Sequence, residues 1–350
     1  MVPLMEPLVL DSRISGEASW STRMPALVVR TDTRAAKREF DRFRALTGID
    51  TPWERYCAAY AAIRCDVREY FYFQFYQRTR EVGDTFLTTR RRDCFVHRIG
   101  DDETGNCTAP GNKILFNMLF GEFLGREWLN PTAVTPDEFA AFVKKHGRVL
   151  IKPAGDGCGH GVHAYRYEGW KAALERHAEL LGKNVLAEQM PAQHPRMDLL
   201  NPHCLNTARV TTYTDRDDVH ILLASLRSAK DTRVVDNFSA GGIAMAIDLR
   251  TGALTSDAID GALRSFSEHP LTKTPLRGFA LPDWPEALEM VRRAARKIYG
   301  MPRCRFLGWD VAFLATGPAI LEVNWRAGCG EQMPHEKGIY YELEALGKKL

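Results

Sequence analysis

The stretch VLIKPAGDGCGHGVHAYRY, residues 149–167, places Gly155, Gly157, Gly159 and Gly161 in one loop between two short apolar runs. Glycine loses more backbone freedom on folding than any other residue. This density therefore marks either a slack hairpin tip or a backbone that must approach something closely. VLIK before the loop and VHAYRY after it are rich in β-branched and aromatic residues and predict strands. Strand–loop–strand differs from the P-loop and the dinucleotide fingerprint, which both run strand–loop–helix. No Gly-Lys-Ser/Thr follows the glycines, and Val162 stands where a third fingerprint glycine belongs. A glycine hairpin of this kind, with Lys152 on its first strand, suits a lid folded down over polyphosphate.

A second stretch, FLGWDVAFLATGPAILEVNWRAG (306–328), reads as two apolar strands separated by Ala-Thr-Gly-Pro. Into these strands the sequence sets Asp310, Glu322 and Asn324. Glu322 and Asn324 are two residues apart and share a face in any register. Asp310 lies opposite Glu322 only if the connecting loop has an odd number of residues. Two carboxylates and an amide oxygen are hard ligands suited to Mg²⁺ bridging nucleotide phosphates. Taken alone, the three also fit the solvent-facing side of an ordinary hairpin; joined to the glycine hairpin and its lysine, they favour the metal.

Composition bounds the remaining choices. The chain has 350 residues, 45% hydrophobic and 26% charged, enough for two or three subdomains. A net charge of +3 does not imply nucleic acid or a membrane surface. The eight cysteines form no CxxC pair and no zinc spacing, which predicts reduced thiols in a cytoplasmic protein. The N-terminal MVPLMEPLVLDSRISGE lacks the pattern of a signal peptide, and no apolar run approaches a membrane span of ~20 residues.

Along the chain the spacing predicts an α+β architecture with strands gathered in the C-terminal half. Residues 1–110 read as a mostly helical N-terminal region: TRAAKREFDRFRALTG is a charged amphipathic helix stopped by Gly48, and ERYCAAYAAIRCDVREYFYFQFYQRTR continues helical spacing. Residues 111–190 hold a helix from Asn112, the helix TPDEFAAFVKKHG, the glycine hairpin, the helix WKAALERHAELLG and the strand NVLAEQM. Residues 191–350 are dominated by strands, with one helix in PEALEMVRRAARKIYG.

The motifs NKILFNMLF (112–120), LIKPAGDGCGHGV (150–162), NVLAEQM (184–190), LNTARV (205–210), VVDNFSAGGIAMAIDLRTG (234–252) and LGWDVAFLATGPAILEVNWRAG (307–328) occur in an order that resembles the ATP-grasp superfamily, and within it the sugar-transfer associated branch. The resemblance covers about 110–330 and implies two α+β subdomains clasping ATP. It implies Lys113 and Lys152 as phosphate-facing lysines, and Gly155, Asp156, Gly157, Gly159 and Gly161 as the phosphate-covering loop. Glu188, Gln189 and Met190 become the hinge against adenine, and Asp310, Glu322 and Asn324 the Mg²⁺ set. An acidic residue that holds the ribose in many relatives is unassigned here, where Gln193 and then Asp198 follow the hinge.

Phosphoryl transfer explains these residue types on its own terms. It asks for positioning and for neutralisation of oxygens, which lysines, Mg²⁺ and close backbone N–H groups supply. Arg209 and Arg227 sit within apolar strands, where a guanidinium must meet an anion. Phosphate or a substrate carboxylate is preferred over a structural ion pair, and both are assigned a catalytic role with Lys152. Asn237 suits either a place near the metal or a turn. His160 reads as a solvent-exposed loop histidine or a phosphate contact, and His269 as loop structure or a residue at the substrate mouth. Cys158 has no histidine partner in the sequence to make it a nucleophile. The run YFYFQFY reads as core, and RTREVGDTFLTTRRRD as a solvated basic face or an attractor of an anionic substrate.

Two classes of activity follow. One is a carboxylate–amine ligase working through an acyl-phosphate, with a sugar acid or sugar-linked group among its small-molecule substrates and a role in polysaccharide or secondary-metabolite biosynthesis implied by the family. The other uses the same nucleotide site for transfer to a hydroxyl, or only to bind ATP.

Overall fold

The computed structural model describes residues 33–101, 111–155, 161–233, 236, 238, 241–301 and 304–348. The first helix, Thr33–Thr47, buries Phe40 and Phe43 and gives way at Gly48, whose φ of +70° suits a residue without Cβ. The aromatic stretch that follows is not one helix. Arg64 turns left-handed at φ +57° after helix Trp53–Ile63. Asp66 and Glu69 then form a reciprocal capping box that starts a new helix, Val67–Tyr72. Local hydrogen bonding thus overrides the helical period. The aromatics keep the expected core role, with Tyr70, Phe71, Phe73 and Phe75 all at most 1% exposed. The basic run behind them is partly consumed internally. Arg78 donates to the carbonyls of Phe73, His335 and Glu336, while Arg91 binds Asp84 and lies 4.0 Å over the Tyr340 ring.

Two antiparallel sheets follow. The smaller has four strands, β1 Trp128–Leu129, β2 Arg148–Pro153, β3 His163–Arg166 and β4 Val185–Gln189, in the order β1-β4-β2-β3. Helices Pro136–His146 and Trp170–Leu180 cover it, and Phe139, Val143, Val149 and Ile151 share its core. Thr135 and Glu138 cap the first of these helices, and Gly147 ends it. The larger sheet has seven strands: β5 Thr207–Thr214, β6 Val219–Ser228, β7 Ile243–Ala246, β8 Ala258–Asp260, β9 Ser265–Phe266, β10 Phe306–Leu314 and β11 Gly317–Trp325. Their order is β11-β10-β5-β6-β7-β8-β9.

The period of two makes the large sheet two-faced. Trp309, Val311, Val210, Ala224, Leu226 and Met245 join a core closed by helix Trp284–Ile298 and by Phe116 of helix Lys113–Leu119. On the other face Tyr213, Leu223 and Phe306 pack under the N-terminal aromatics. The strands below them place polar residues there instead. That switch from apolar to polar along one face builds the site.

One expectation about cysteine is corrected. Cys57, Cys65, Cys94, Cys204 and Cys329 are free, but Cys304 is disulfide-bonded, so the thiols are not all reduced. Among the described residues no helix is long and apolar enough to cross a membrane.

Candidate functional site

Register across four strands assembles the polar face. Asp310 on β10 stands opposite Glu322 on β11 and opposite Arg209 on β5. Arg209 pairs in turn with Ser225 on β6, and Thr207 with Arg227. The route to this register differs from the parity expected of the hairpin. Its tight turn leaves two residues between the pair Leu314–Gly317, an even number that alone would set Asp310 against Leu321. A bulge restores the pairing: the register shifts between Asp310 and Val311, with Leu321 as the extra residue.

The carboxylate of Asp310 is gripped from two sides. Arg209 Nε and Nη2 donate to its two oxygens, and Arg227 Nη2 reaches Oδ2 at 2.9 Å. Arg209 also lies 3.5 Å from Glu331, and Arg227 is 3.9 Å from Asp236 and bonded to Thr207 Oγ1. Gly308 makes room, since a Cβ there would sit 3.2 Å from Arg209 Cδ. In the structure both guanidiniums are therefore held in buried ion pairs with the chain's own carboxylates, the arrangement ranked second from sequence. Burial by itself would raise the Asp310 pKa, but the charges of Arg209 and Arg227 outweigh it and hold the carboxyl well below the usual range. Glu322 is shifted the opposite way: burial, and then the neighbouring Asp310, raise it. Asn324 Nδ2 approaches Glu322 Oε1 at 3.4 Å.

The charges on this face do not balance. Asp310, Glu322, Asp236 and Glu331 confront Arg209 and Arg227, and Glu322 is a buried carboxylate next to another. An oxygen-rich, acid-excess set of this kind suits a divalent cation. Among the described residues no cluster of three or more His, Cys, Asp or Glu forms a metal cage, so an amide such as Asn324 would have to complete the set.

Of the two lysines, Lys152 lies on β2 of the small sheet and Lys113 opens a helix fastened to the end of that strand. Asn112 caps helix Lys113–Leu119 through Ile114 N and Leu115 N, and Lys113 N donates to Ala154 O at 2.8 Å. The helix start is thereby fastened beside the end of β2, which carries Lys152. Lys152 Nζ lies 2.5 Å from Glu188 Oε2. Glu188 also receives Arg126 and Asn117, and although burial by itself would raise its pKa, Arg126 and Lys152 outweigh it and hold the carboxyl well below the usual range. Its backbone is paired on both sides, with Trp128 and with Leu150. Gln189 and Met190 follow at the strand's end, where Met190 is 37% exposed. Gln193 is consumed by structure, accepting from Asn206 and donating to Asp198 and to Asn201 O.

Of the glycine loop, Gly155 and Gly161 are described, while Asp156, Gly157, Cys158, Gly159 and His160 lie outside the described residues, as does Asn237. Gly161 has a local reason to be glycine: φ is +71°, and a Cβ would meet Pro153 Cγ at 2.7 Å. Gly155 has open space around it. His269 lies in a loop, as one of its two readings had it, and is fully buried there, bonded to Ser228 Oγ and Ala229 O; burial brings its pKa down to about 4.

Sequence reasoning did not single out Arg126, Asn117, Thr207, Asp236, Ser225, Glu331 or His335. Asn117, Thr207 and Asp236 lie inside quoted motifs, and Glu331 and His335 follow the last one, so adjacency was the available signal. Arg126 carried none, because only the fold brings FLGREWL to β4.

A family model described as sugar-transfer associated ATP-grasp matches residues 134–348. A search of curated proteins gives no match. Among solved structures, D-alanyl-alanine synthetase A from Vibrio cholerae O1 biovar eltor str. N16961 is 15% identical, with a TM-score of 0.42 over 69% of this chain and 65% of that one. The ATP-grasp ligase PsnB complexed with minimal precursor is 15% identical, with a TM-score of 0.42 over 71% and 63%. D-cycloserine synthetase DcsG is 14% identical, with a TM-score of 0.43 over 69% and 71%. The chain thus spans less than two thirds of the length of the first and second of these.

Proposed function

Because the chain belongs to the sugar-transfer associated ATP-grasp family, we propose that it is an ATP- and Mg²⁺-dependent ligase that joins a carboxylate to an amine through an acyl-phosphate. The observation that supports this most is the acid-excess face of Asp310, Glu322, Asp236 and Glu331 around Arg209 and Arg227. Asp310, Glu322 and Asn324 would hold the ion, which when bound neutralises phosphate oxygens. Lys113, at a helix start, and Lys152, on β2, would bring positive charge to the phosphates, and the glycine loop bounded by Gly155 and Gly161 would cover them. Glu188, whose side chain orients Lys152, leads into Gln189 and Met190 at the adenine. Arg209 and Arg227 are positioned to share their charge between Asp310 and an incoming anionic oxygen.

In the second half of the reaction the amine nitrogen bonds to the acyl carbon as the carbon–oxygen bond to phosphorus breaks. Phosphate leaves with the electron pair and takes up the proton lost by the amine. The family's name supports a sugar-linked substrate in polysaccharide or secondary-metabolite assembly, and the need for ATP supports a cytoplasmic location. The test is ADP release with Mg²⁺-ATP across a panel of carboxylic acids, with hydroxylamine to trap acyl-phosphate as hydroxamate. Acid-dependent ADP with hydroxamate is expected. ADP formed only with hydroxyl acceptors and never hydroxamate means a kinase-type transfer, and Mg²⁺-ATP binding without turnover means a binding module.

A further inference from the structure

Next to the polar face is a cavity of about 600 Å³ that none of the roles above uses. One wall is the sheet at β7–β9, through Ala246, Ile259 and Ser265; the other is the N-terminal segment 74–78, with His335 and Glu336 between them. Register ties it to the site. Asp310, Arg209, Ser225 and Ala246 are successive cross-strand partners, so Ala246 lies three strand spacings, about 14 Å, from Asp310 on the same face. Ser225, one spacing from Arg209, contacts His335 Nε2 at 2.9 Å and donates to Glu331 O at 2.7 Å. Burial keeps His335 uncharged, with a pKa of about 4.

The lining decides what the cavity takes. Its two guanidiniums are already engaged: Arg277 by Asp257 and Thr255 O, each at 2.7 Å, and Arg78 by three backbone carbonyls. Recognition of a carboxylate or phosphate there would have to displace these bonds. What the cavity offers instead is the Glu336 carboxylate, the neutral His335 ring, the Gln74 and Gln77 amides and the Tyr76 hydroxyl. Gln74 holds a left-handed φ of +55°, a conformation costly for a residue with a side chain, and its Oε1 accepts from Gln77 Nε2 at 2.6 Å.

We propose that this cavity is the pocket of the second substrate, and that it accepts a polar primary amine whose nitrogen sits at the His335 end, toward Arg209 and Asp310. The inference rests on the ligase reading above. It also assigns selection of the amine to residues 74–78, which precede the family match at 134–348.

Binding is measured by saturation-transfer NMR on the full chain with Mg²⁺-ADP. The probes are amino alcohols, amino acid amides and aminosugars, each paired with its N-acetyl derivative, together with the corresponding carboxylic acids. At least one amine should bind, and its N-acetyl partner should bind about tenfold more weakly. Gln74→Gly relieves the left-handed backbone and removes the amide, so it should weaken the amine about tenfold while keeping the melting temperature at or above wild type. Ser265→Trp, which fills the cavity from β9, should abolish amine binding and leave Mg²⁺-ATP affinity unchanged. The proposal is overturned if no amine binds, if acids compete for the cavity better than amines, or if amine binding ignores both variants. Failure of the ligase reading is read separately, as absence of hydroxamate in the trapping assay with wild-type protein.

Discussion

Asp310 faces Glu322 because Leu321 bulges out of β11; without that one extra residue the two carboxylates would lie on opposite faces of the sheet. The pair is asymmetric. Asp310 is neutralised by Arg209 and Arg227, whereas Glu322 has burial and a neighbouring carboxylate to contend with.

Removing the Glu322 charge should therefore spare the fold and stop turnover. Glu322→Gln keeps shape and removes an unfavourable buried charge, so its melting temperature should match or exceed wild type. ADP release should fall at least about 100-fold, the scale of losing one electrostatic contact to the reacting group. Wild-type turnover in this variant would disprove the metal assignment.

The same residue makes a pH prediction. A carboxyl whose pKa is raised on folding binds more protons folded than unfolded, so its contribution to stability is lost as pH rises from its ordinary 4.5 through the higher folded value. Without metal, denaturant titrations should show Glu322→Gln gaining on wild type as pH increases above about 4.5. Millimolar Mg²⁺ should close that gap by stabilising wild type. A gap that Mg²⁺ does not alter would place the ion elsewhere.

Asp310→Asn should behave in the opposite way. It strips the shared partner from two buried guanidiniums, and breaking such a pair costs about 3–5 kcal/mol. Urea midpoints should fall by a corresponding amount, and an unchanged midpoint would show that Glu331 and Asp236 suffice to hold Arg209 and Arg227.

His269 gives an acid-side signature. Its pKa falls from 6.5 to about 4 on folding, so the unfolded chain binds the extra proton and stability drops as pH falls from 6.5 to about 4, by on the order of 3 kcal/mol. His269→Gln, which keeps a hydrogen-bonding group near Ser228, should flatten that part of the stability profile. An identical slope in the variant would assign the acid sensitivity to another group.

Much of the framework was legible from local chemistry. Thr135-Pro136 with Glu138 and a closing Gly147 specify one helix, Asn112 caps another, and period-two spacing commits Glu322 and Asn324 to one face whatever surrounds them. These are relations among residues a few positions apart, where backbone geometry alone sets direction. The aromatic stretch at 54–80 shows the limit of that reading, since its spacing is helical while the bonds of Asp66 and Glu69 divide it.

What only the tertiary structure decided are relations across long separations. Parity could state the condition for Asp310 to meet Glu322 but not that a bulge would satisfy it. Apolar strands around Arg209 and Arg227 demanded an anion without saying that Asp310, 101 and 83 residues away in the chain, is the anion they meet. Glu188 could be placed on a strand by its neighbours, yet its partners Asn117, Arg126 and Lys152 come from three other segments. The physical reason is common to all three: a buried charge is stabilised by whichever groups the packed sheets bring within a few ångströms, and sequence order does not encode that distance.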